Sequence, residues 1–186
     1  MISFVDYRTS LDEINSLKNM NYDVIKVPRA NNLYSAIDGH VDIQLNILSK
    51  KNKTIIINKD INNDFKKLLD EKGIKYINSF SSLHEKYPNN VLLNAYITEN
   101  YLIHNLKYSD KELLNYCKNK KHINIKQGYS KCSILPIRED AIITNDAGIH
   151  KALVKEKIKL ISKLCSPINN PTANVTPTIA KKAMLF

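Results

Sequence analysis

The stretch TIIINKDINNDFKKLLDEKGIKYIN, residues 54–78, decides the fold class. It opens on an apolar run, Thr54–Asn58, that predicts a strand. Ile61, Phe65, Leu68 and Leu69 then recur at helical spacing, which predicts a helix over Asn63–Lys72 with one apolar face. Gly73 stands at the C′ position, where glycine ends a helix. A second apolar run, Ile74–Asn78, follows at once.

The same strand, helix, strand plan recurs on both sides. Upstream it covers Ile2–Tyr7, Leu11–Met20 and Asp23–Val27, with Ser10 and Glu13 forming a capping box before the helix. Downstream it covers Tyr101–Asn105, Asp110–Asn119 and His122–Lys126, with Ser109 and Glu112 as a second capping box and Leu113, Tyr116 and Cys117 as the apolar stripe. The last unit covers Ala141–Asn145, Ala147–Lys157 and Ile158–Ser162, with Asp146 as N-cap and Ile149, Ala152 and Leu153 facing inward. Each later unit has a further apolar segment in front of it: Val41–Leu48, Val91–Thr98 and Cys132–Ile137. Tight turns at Lys51–Lys53, Glu99–Asn100 and Arg138–Asp140 join these to the unit.

The full unit is therefore strand–strand–helix–strand, repeated every 40 to 50 residues. Such a period indicates an array or a propeller, in which each unit buries its apolar face on a neighbour. The fold class expected is α/β, an incomplete propeller of about four units over residues 1–162. The first unit lacks its leading strand, and a closed ring often borrows that strand from the far end of the molecule. Residues 163–186 lack Asp and Glu and hold three of the six prolines. They are expected to form an irregular tail without regular pairing, which leaves the edge of the first strand uncovered. The sequence reads as truncated or altered after about residue 162.

Composition sets the class. Hydrophobic residues make up 43% and charged residues 25% of 186, which argues against wholesale disorder. No run reaches the ~18 apolar residues of a membrane span, and the N-terminus carries no signal-peptide pattern. A cytoplasmic protein with no membrane partner is expected. The net charge of +10 comes from 25 Lys and only 3 Arg, scattered rather than blocked. That predicts a solvated basic surface and at most weak, non-specific nucleic-acid binding. The three cysteines, Cys117, Cys132 and Cys165, show no CxxC spacing, so neither a metal site nor a disulfide framework is expected, and no cofactor.

The segments Val5–Arg8, Gly39–Ile43, Gly128–Ser133 and Ile143–Ile149, in this order within the repeat, resemble an uncharacterised bacterial family thought to adopt the guanidino-group-modifying-enzyme fold. This is also called the pentein or α/β-propeller fold. The resemblance covers about residues 2–162. It implies a central cleft for a small polar ligand. Known penteins include arginine deiminases, amidinotransferases and dimethylarginine hydrolases, which use a Cys nucleophile, a His acid/base and carboxylates that grip the guanidinium. The fold also includes a non-catalytic ribosome-binding factor. Two classes of function thus stay open. One is a domain that binds or hydrolyses a small guanidino or other polar cationic ligand. The other is a binding module for a protein or ribonucleoprotein.

Guanidinium chemistry needs a thiolate, a proton donor for the leaving amine and acceptors for the N–H groups. His40 and Asp42, two residues apart, share a face if the segment is a strand, and resemble the His-x-carboxylate of catalytic penteins. They are either that pair or a polar pair at the rim. Cys132, behind Gly128 and beside Lys131, is the candidate nucleophile, with burial as packing the alternative; in a repeat propeller equivalent strand starts converge on the axis, which is expected to bring it near Asp42 and Asn94. Against Cys132, catalytic penteins carry their Cys near the C-terminal end, in the part this sequence is expected to lack or to have replaced; Cys165 lies later but in the irregular tail. Asp6 and Arg8 share a strand face and are candidates to bind a polar ligand or to pair with other charges. Asn94 and Asp146 are the comparable polar positions of later units. His84, His104 and His122 belong to no motif and read as surface or satisfied core histidines.

Overall fold

The computed structural model describes residues 1–138, 141–156 and 183–185. The first unit is β1 (Ile2–Asp6), α1 (Leu11–Asn19) and β2 (Asp23–Val27). The second begins with a short helix, α2 (Val41–Gln44), then β3 (Leu45–Ser49), β4 (Thr54–Ile57), α3 (Asn63–Glu71) and β5 (Lys75–Asn78). The third is β6 (Tyr96–Ile97), β7 (Tyr101–His104), α4 (Lys111–Tyr116) and β8 (Lys121–Asn124). The fourth has a helical turn over Lys131–Ser133, then β9 (Leu135–Arg138), β10 (Ala141–Ile143) and α5 (Ala147–Lys155). The strand expected over Ile158–Ser162 lies outside the described residues. A last strand, β11 (Ala183–Leu185), is described near the C-terminus.

These strands form several small sheets rather than one continuous one. The orders are β3-β4-β5, β6-β7-β8, β11-β1-β2 and the pair β10-β9. In each three-stranded sheet the leading strand runs antiparallel to the central one, and the strand after the helix runs parallel to it. The plan follows from connection length. A tight turn suffices for an antiparallel neighbour, and a helix is needed to return parallel.

The leading strand missing from the first unit is supplied by β11, whose register pairs Ser3 with Leu185 and Val5 with Ala183. The expectation of an uncovered β1 edge and a wholly irregular tail is corrected over these residues. The remainder of 157–182 lies outside the described residues.

The capping chemistry explains where the helices begin. The Ser10–Glu13 capping box is formed in both directions. Asn62 caps α3 through Phe65 N–H, and Asp146 caps α5 through Ile149 N–H at 2.8 Å. The second expected box is not formed. Asp110 caps α4, accepting from Glu112 N–H at 2.9 Å, while Ser109 turns to His104. Gly73 has φ of +63°, the left-handed value that stops α3.

Hydrophobic clusters lie between successive units. Phe4, Ile25 and Val27 of the first pack with Leu45, Ile55, Ile57, Phe65 and Leu69 of the second. Leu48 and Ile56 of the second pack with Leu93, Leu102, Leu113 and Cys117 of the third. Tyr96, Ile103 and Ile123 of the third pack with Ile134, Ile142, Ile149 and Leu153 of the fourth. Strand β4 thus sends Ile55 and Ile57 into one cluster and Ile56 into the next, as its two-residue period requires. All three are fully buried.

The leading segments depart from plain strands, and this positions the site. Val41–Gln44 is a helical turn before β3. Val91–Asn94 closes through Asn94 N–H on Val91 O at 2.9 Å before the two-residue β6. Lys131–Ser133 is a helical turn before β9. His40 is the extended N-cap residue in front of the Val41–Gln44 turn and Asp42 lies inside it, so the strand alternation that would put both on one face is not formed.

Candidate functional site

Two helical turns and the Val91–Asn94 turn bring Asp42, Asn94 and Cys132 together. The Cys132 thiol donates to Asp42 Oδ2 at 2.6 Å, across 90 residues of sequence. Asn94 is the connector. Its Nδ2 donates to Asp42 O at 3.0 Å and to Cys132 Sγ at 3.3 Å, and its Oδ1 accepts from the N–H groups of Lys131 and Cys132 at 3.1 and 3.4 Å. Asp42 and Asn94 are buried, while Cys132 is half-buried and so open to reagents. The second carboxylate oxygen of Asp42 is buried and has no hydrogen-bond donor among the described residues. An unpaired buried carboxylate oxygen is costly and marks a place for a donor.

Lys131 completes the cluster. Its Nζ donates to Asn46 Oδ1 at 2.9 Å, and Asn46 is held in turn by donating to Leu93 O and Ala95 O at 2.8 and 2.6 Å. Burial pushes the Lys131 ammonium down to about 8, with Asp42 and Cys132 acting in the opposite direction. Burial also pushes the neighbouring Tyr129 hydroxyl up to about 12, helped by Tyr34 and Cys132.

The loop that carries Cys132 is anchored from behind by His104. Its Nε2 contacts Gly128 O at 2.8 Å and its Nδ1 contacts Ser109 Oγ at 2.7 Å. Only a protonated Nε2 can donate to a carbonyl, so the neutral ring carries its proton there. Burial drives the His104 pKa down to about 4, the hydrogen bonds to Gly128 and Val91 backbone opposing it.

His40 belongs elsewhere. It is the N-cap residue of α2 and its charge acts on Asp6. The expected strand face shared by His40 and Asp42 is therefore not formed: Asp42 lies in a helical turn and accepts from the Cys132 thiol. Asp6 and Arg8 form an ion pair at 2.7 Å, with Arg8 N–H and Nε also donating to Asp6 Oδ1 at 2.8 and 3.0 Å. Burial works to raise the Asp6 pKa, but the Arg8 hydrogen bonds and charge, with His40, hold it below the ordinary carboxylate range. The pair extends to the fully buried Asp38, which accepts from Arg29 Nε at 2.6 Å and from the Tyr7 hydroxyl at 3.3 Å. Gly39 passes so close that a Cβ there would lie 2.4 Å from Asp6 Oδ1. Asp146 caps α5 and accepts from Gln127 Nε2 at 3.4 Å. The Asp6–Arg8 pair and Asp146 thus stand apart from the hydrogen bonds that join Asp42, Asn94 and Cys132.

Cys117 is buried on the apolar face of α4, where burial pushes its thiol up to about 11, with Lys120 opposing. Cys165 lies outside the described residues. Asn46 is a site residue that the sequence did not single out. The Lys131–Cys132 adjacency was legible, but Asn46 lies inside an apolar run and carries no signal of its role. A separate cleft of about 370 Å³ is lined by Arg29, Asn32, Gln44, Asn58, Asn62 and His84, among others. Among the described residues no group of three His, Cys, Asp or Glu is arranged to hold a metal, and no helix is long and apolar enough to cross a membrane.

A family model, described as a family of unknown function (DUF6873), matches residues 4–168. No curated protein matches this sequence. The match runs from within β1 to beyond α5, taking in Asp42, Asn94, Lys131 and Cys132. The protein therefore belongs to the DUF6873 family.

Proposed function

We propose that the protein is a pentein-like α/β propeller. Its polar cluster binds, and through Cys132 hydrolyses, a small polar ligand with a planar carbon–nitrogen centre. Guanidino compounds are the first class to test, because the resemblance implies them. The repeated sheet plan, the clusters between successive units and the β11–β1 pairing support the propeller. The observation that carries the function is the Cys132 thiol on Asp42 Oδ2 at 2.6 Å. A carboxylate at hydrogen-bond distance is a base for the thiol proton, and a thiolate is the nucleophile that hydrolysis needs. In this reading Asp42 takes the acid/base role expected of His40.

The test is alkylation of the full-length protein with iodoacetamide at neutral pH, read by mass spectrometry. Cys132 should label well before Cys117, and a ligand of the site should slow that labelling. Cys132→Ser should abolish turnover in a panel of guanidino and ureido compounds. Labelling of Cys132 no faster than Cys117, with no protection by any panel member, would sink the proposal.

The charge of +10 supports a second reading, a non-catalytic module for a protein or ribonucleoprotein. Arg8 and Arg29 are already engaged by Asp6 and Asp38, so phosphate contacts would fall mainly to lysines. RNA binding should then be weak, around ~10⁻⁴ to 10⁻⁶ M, and salt-sensitive. Tight binding that survives high salt would put this reading first.

A further inference from the structure

The donors and acceptors around Cys132 favour one substrate class over another. A guanidinium offers only N–H donors and a positive charge. Asp42 suits it, but Lys131 does not. An ammonium carries three donors and no acceptor, so it cannot receive a guanidinium N–H, and it repels the charge. An amide or a urea is different. It has one carbonyl oxygen to accept and one N–H to donate on the same planar carbon. The Asp42 oxygen without a donor among the described residues matches the N–H. Lys131, held on Asn46 Oδ1 at 2.9 Å and next to Cys132 in sequence, is the donor that matches the carbonyl oxygen.

The charge count agrees. Among the described residues Asp42 and Lys131 carry opposite charges beside Cys132, and Lys50 is a further cation acting on Lys131, so a neutral ligand brings no additional positive charge to Lys131. Burial already works against the Lys131 ammonium, and a second cation beside it would add to that cost.

From this juxtaposition of Cys132, Asp42 and Lys131 we infer that the site takes a neutral carbonyl compound, an amide or a urea, in preference to a guanidinium. The inference rests on the proposed thiol site and narrows its substrate. The chemistry balances with water as co-reactant. The thiol proton passes to Asp42 Oδ2 as the sulfur lone pair forms a C–S bond, and the carbonyl π pair moves onto oxygen, where the Lys131 ammonium stabilises it. Re-forming the C=O bond breaks the C–N bond. The nitrogen leaves with its electron pair, takes the proton from Asp42 and departs as an amine or ammonia. Water then adds to the thioester, giving its proton to Asp42. The C–S bond breaks and the sulfur recovers the proton, releasing an acid.

The experiment compares a matched pair of probes, butylurea and butylguanidinium, as protectants of Cys132 against iodoacetamide in the full-length protein. Butylurea should half-protect at a concentration about tenfold lower, the direction that like-charge repulsion at Lys131 dictates. Lys131→Met should shrink that gap while leaving the Cys132 peptide the labelled one. Equal protection, or better protection by butylguanidinium, overturns the inference and leaves the thiol site standing. Protection by neither probe overturns the inference and the site reading together. The wild-type comparison decides the matter even if Lys131→Met fails to fold.

Discussion

Acid should destabilise the protein through His104 before most carboxylates titrate. The ring is fully buried, with Nε2 on Gly128 O and Nδ1 on Ser109 Oγ. Charging it does not break that network. Ser109 Oγ lies 3.2 Å from Asn105 O, so its hydroxyl can turn there and accept from Nδ1. The cost is desolvation of the cation, which places the folded pKa at about 4. The unfolded value is about 6.5. The folded pKa is depressed, so the unfolded state binds the extra proton first. Stability is full above pH 6.5 and falls as the pH drops toward 4. Linkage gives a loss of about 2 kcal/mol by pH 5 and about 3 kcal/mol by pH 4. Urea unfolding followed by far-ultraviolet circular dichroism at pH 7 and pH 5 measures it. The comparison is with His104→Gln, whose amide can still donate to Gly128 O but gains no proton. The variant should be less stable at pH 7 and should lose about 2 kcal/mol less than wild type between the two pH values. Parallel losses in the two proteins would refute the reasoning, because every other titrating group is common to both.

Three other perturbations probe the packing between units, the Asp6 corner and the buried lysine. Ile56→Ala removes a fully buried side chain from the cluster between the second and third units and should cost about 2–5 kcal/mol in urea unfolding; a cost under about 1 kcal/mol would mean that the units are not packed through β4. Gly39→Ala drives a Cβ to 2.4 Å from Asp6 Oδ1 and should destabilise by about 1–3 kcal/mol, with loss of the Asp6–Arg8 geometry; an unchanged melting temperature would contradict that close approach. Lys131, faced by Asp42, Cys132 and Lys50, has its folded pKa lowered to about 8, so wild type should gain stability from about pH 8 to 10 as the ammonium neutralises in the fold before it does in the unfolded state. Lys131→Met should lack that gain, and an equal rise in both would show that another group is responsible.

Local structure was legible where local chemistry decides it. The run Thr54–Asn58, the face Phe65–Leu69 and Gly73 specify strand, helix and stop, and all three are found. The Ser10–Glu13 box and the Asp146 cap were likewise set by residues within a turn of each other. The Ser109–Glu112 box failed because Ser109 had a competing partner, the buried His104, which no local pattern shows. Helix α4 starts from Asp110 instead, whose carboxylate also takes the N–H groups of Phe80 and Ser81.

The alternation of elements is written locally, because hydrophobic period, caps and turn residues act over a few residues. The sequence also marked Cys132, Asp42 and Asn94 as polar groups at equivalent points of successive units. Which hydrogen bonds join them is set by the tertiary fold. Val41–Gln44 is coiled rather than extended, so Asp42 meets a cysteine 90 residues away instead of sharing a strand face with His40. β11 covers β1 across almost the whole length of the protein, although its own neighbours in sequence carry no strand pattern. In both cases the partner lies far away in sequence. The pairing depends on which segments the fold brings within a few ångströms, and no window of the sequence contains it.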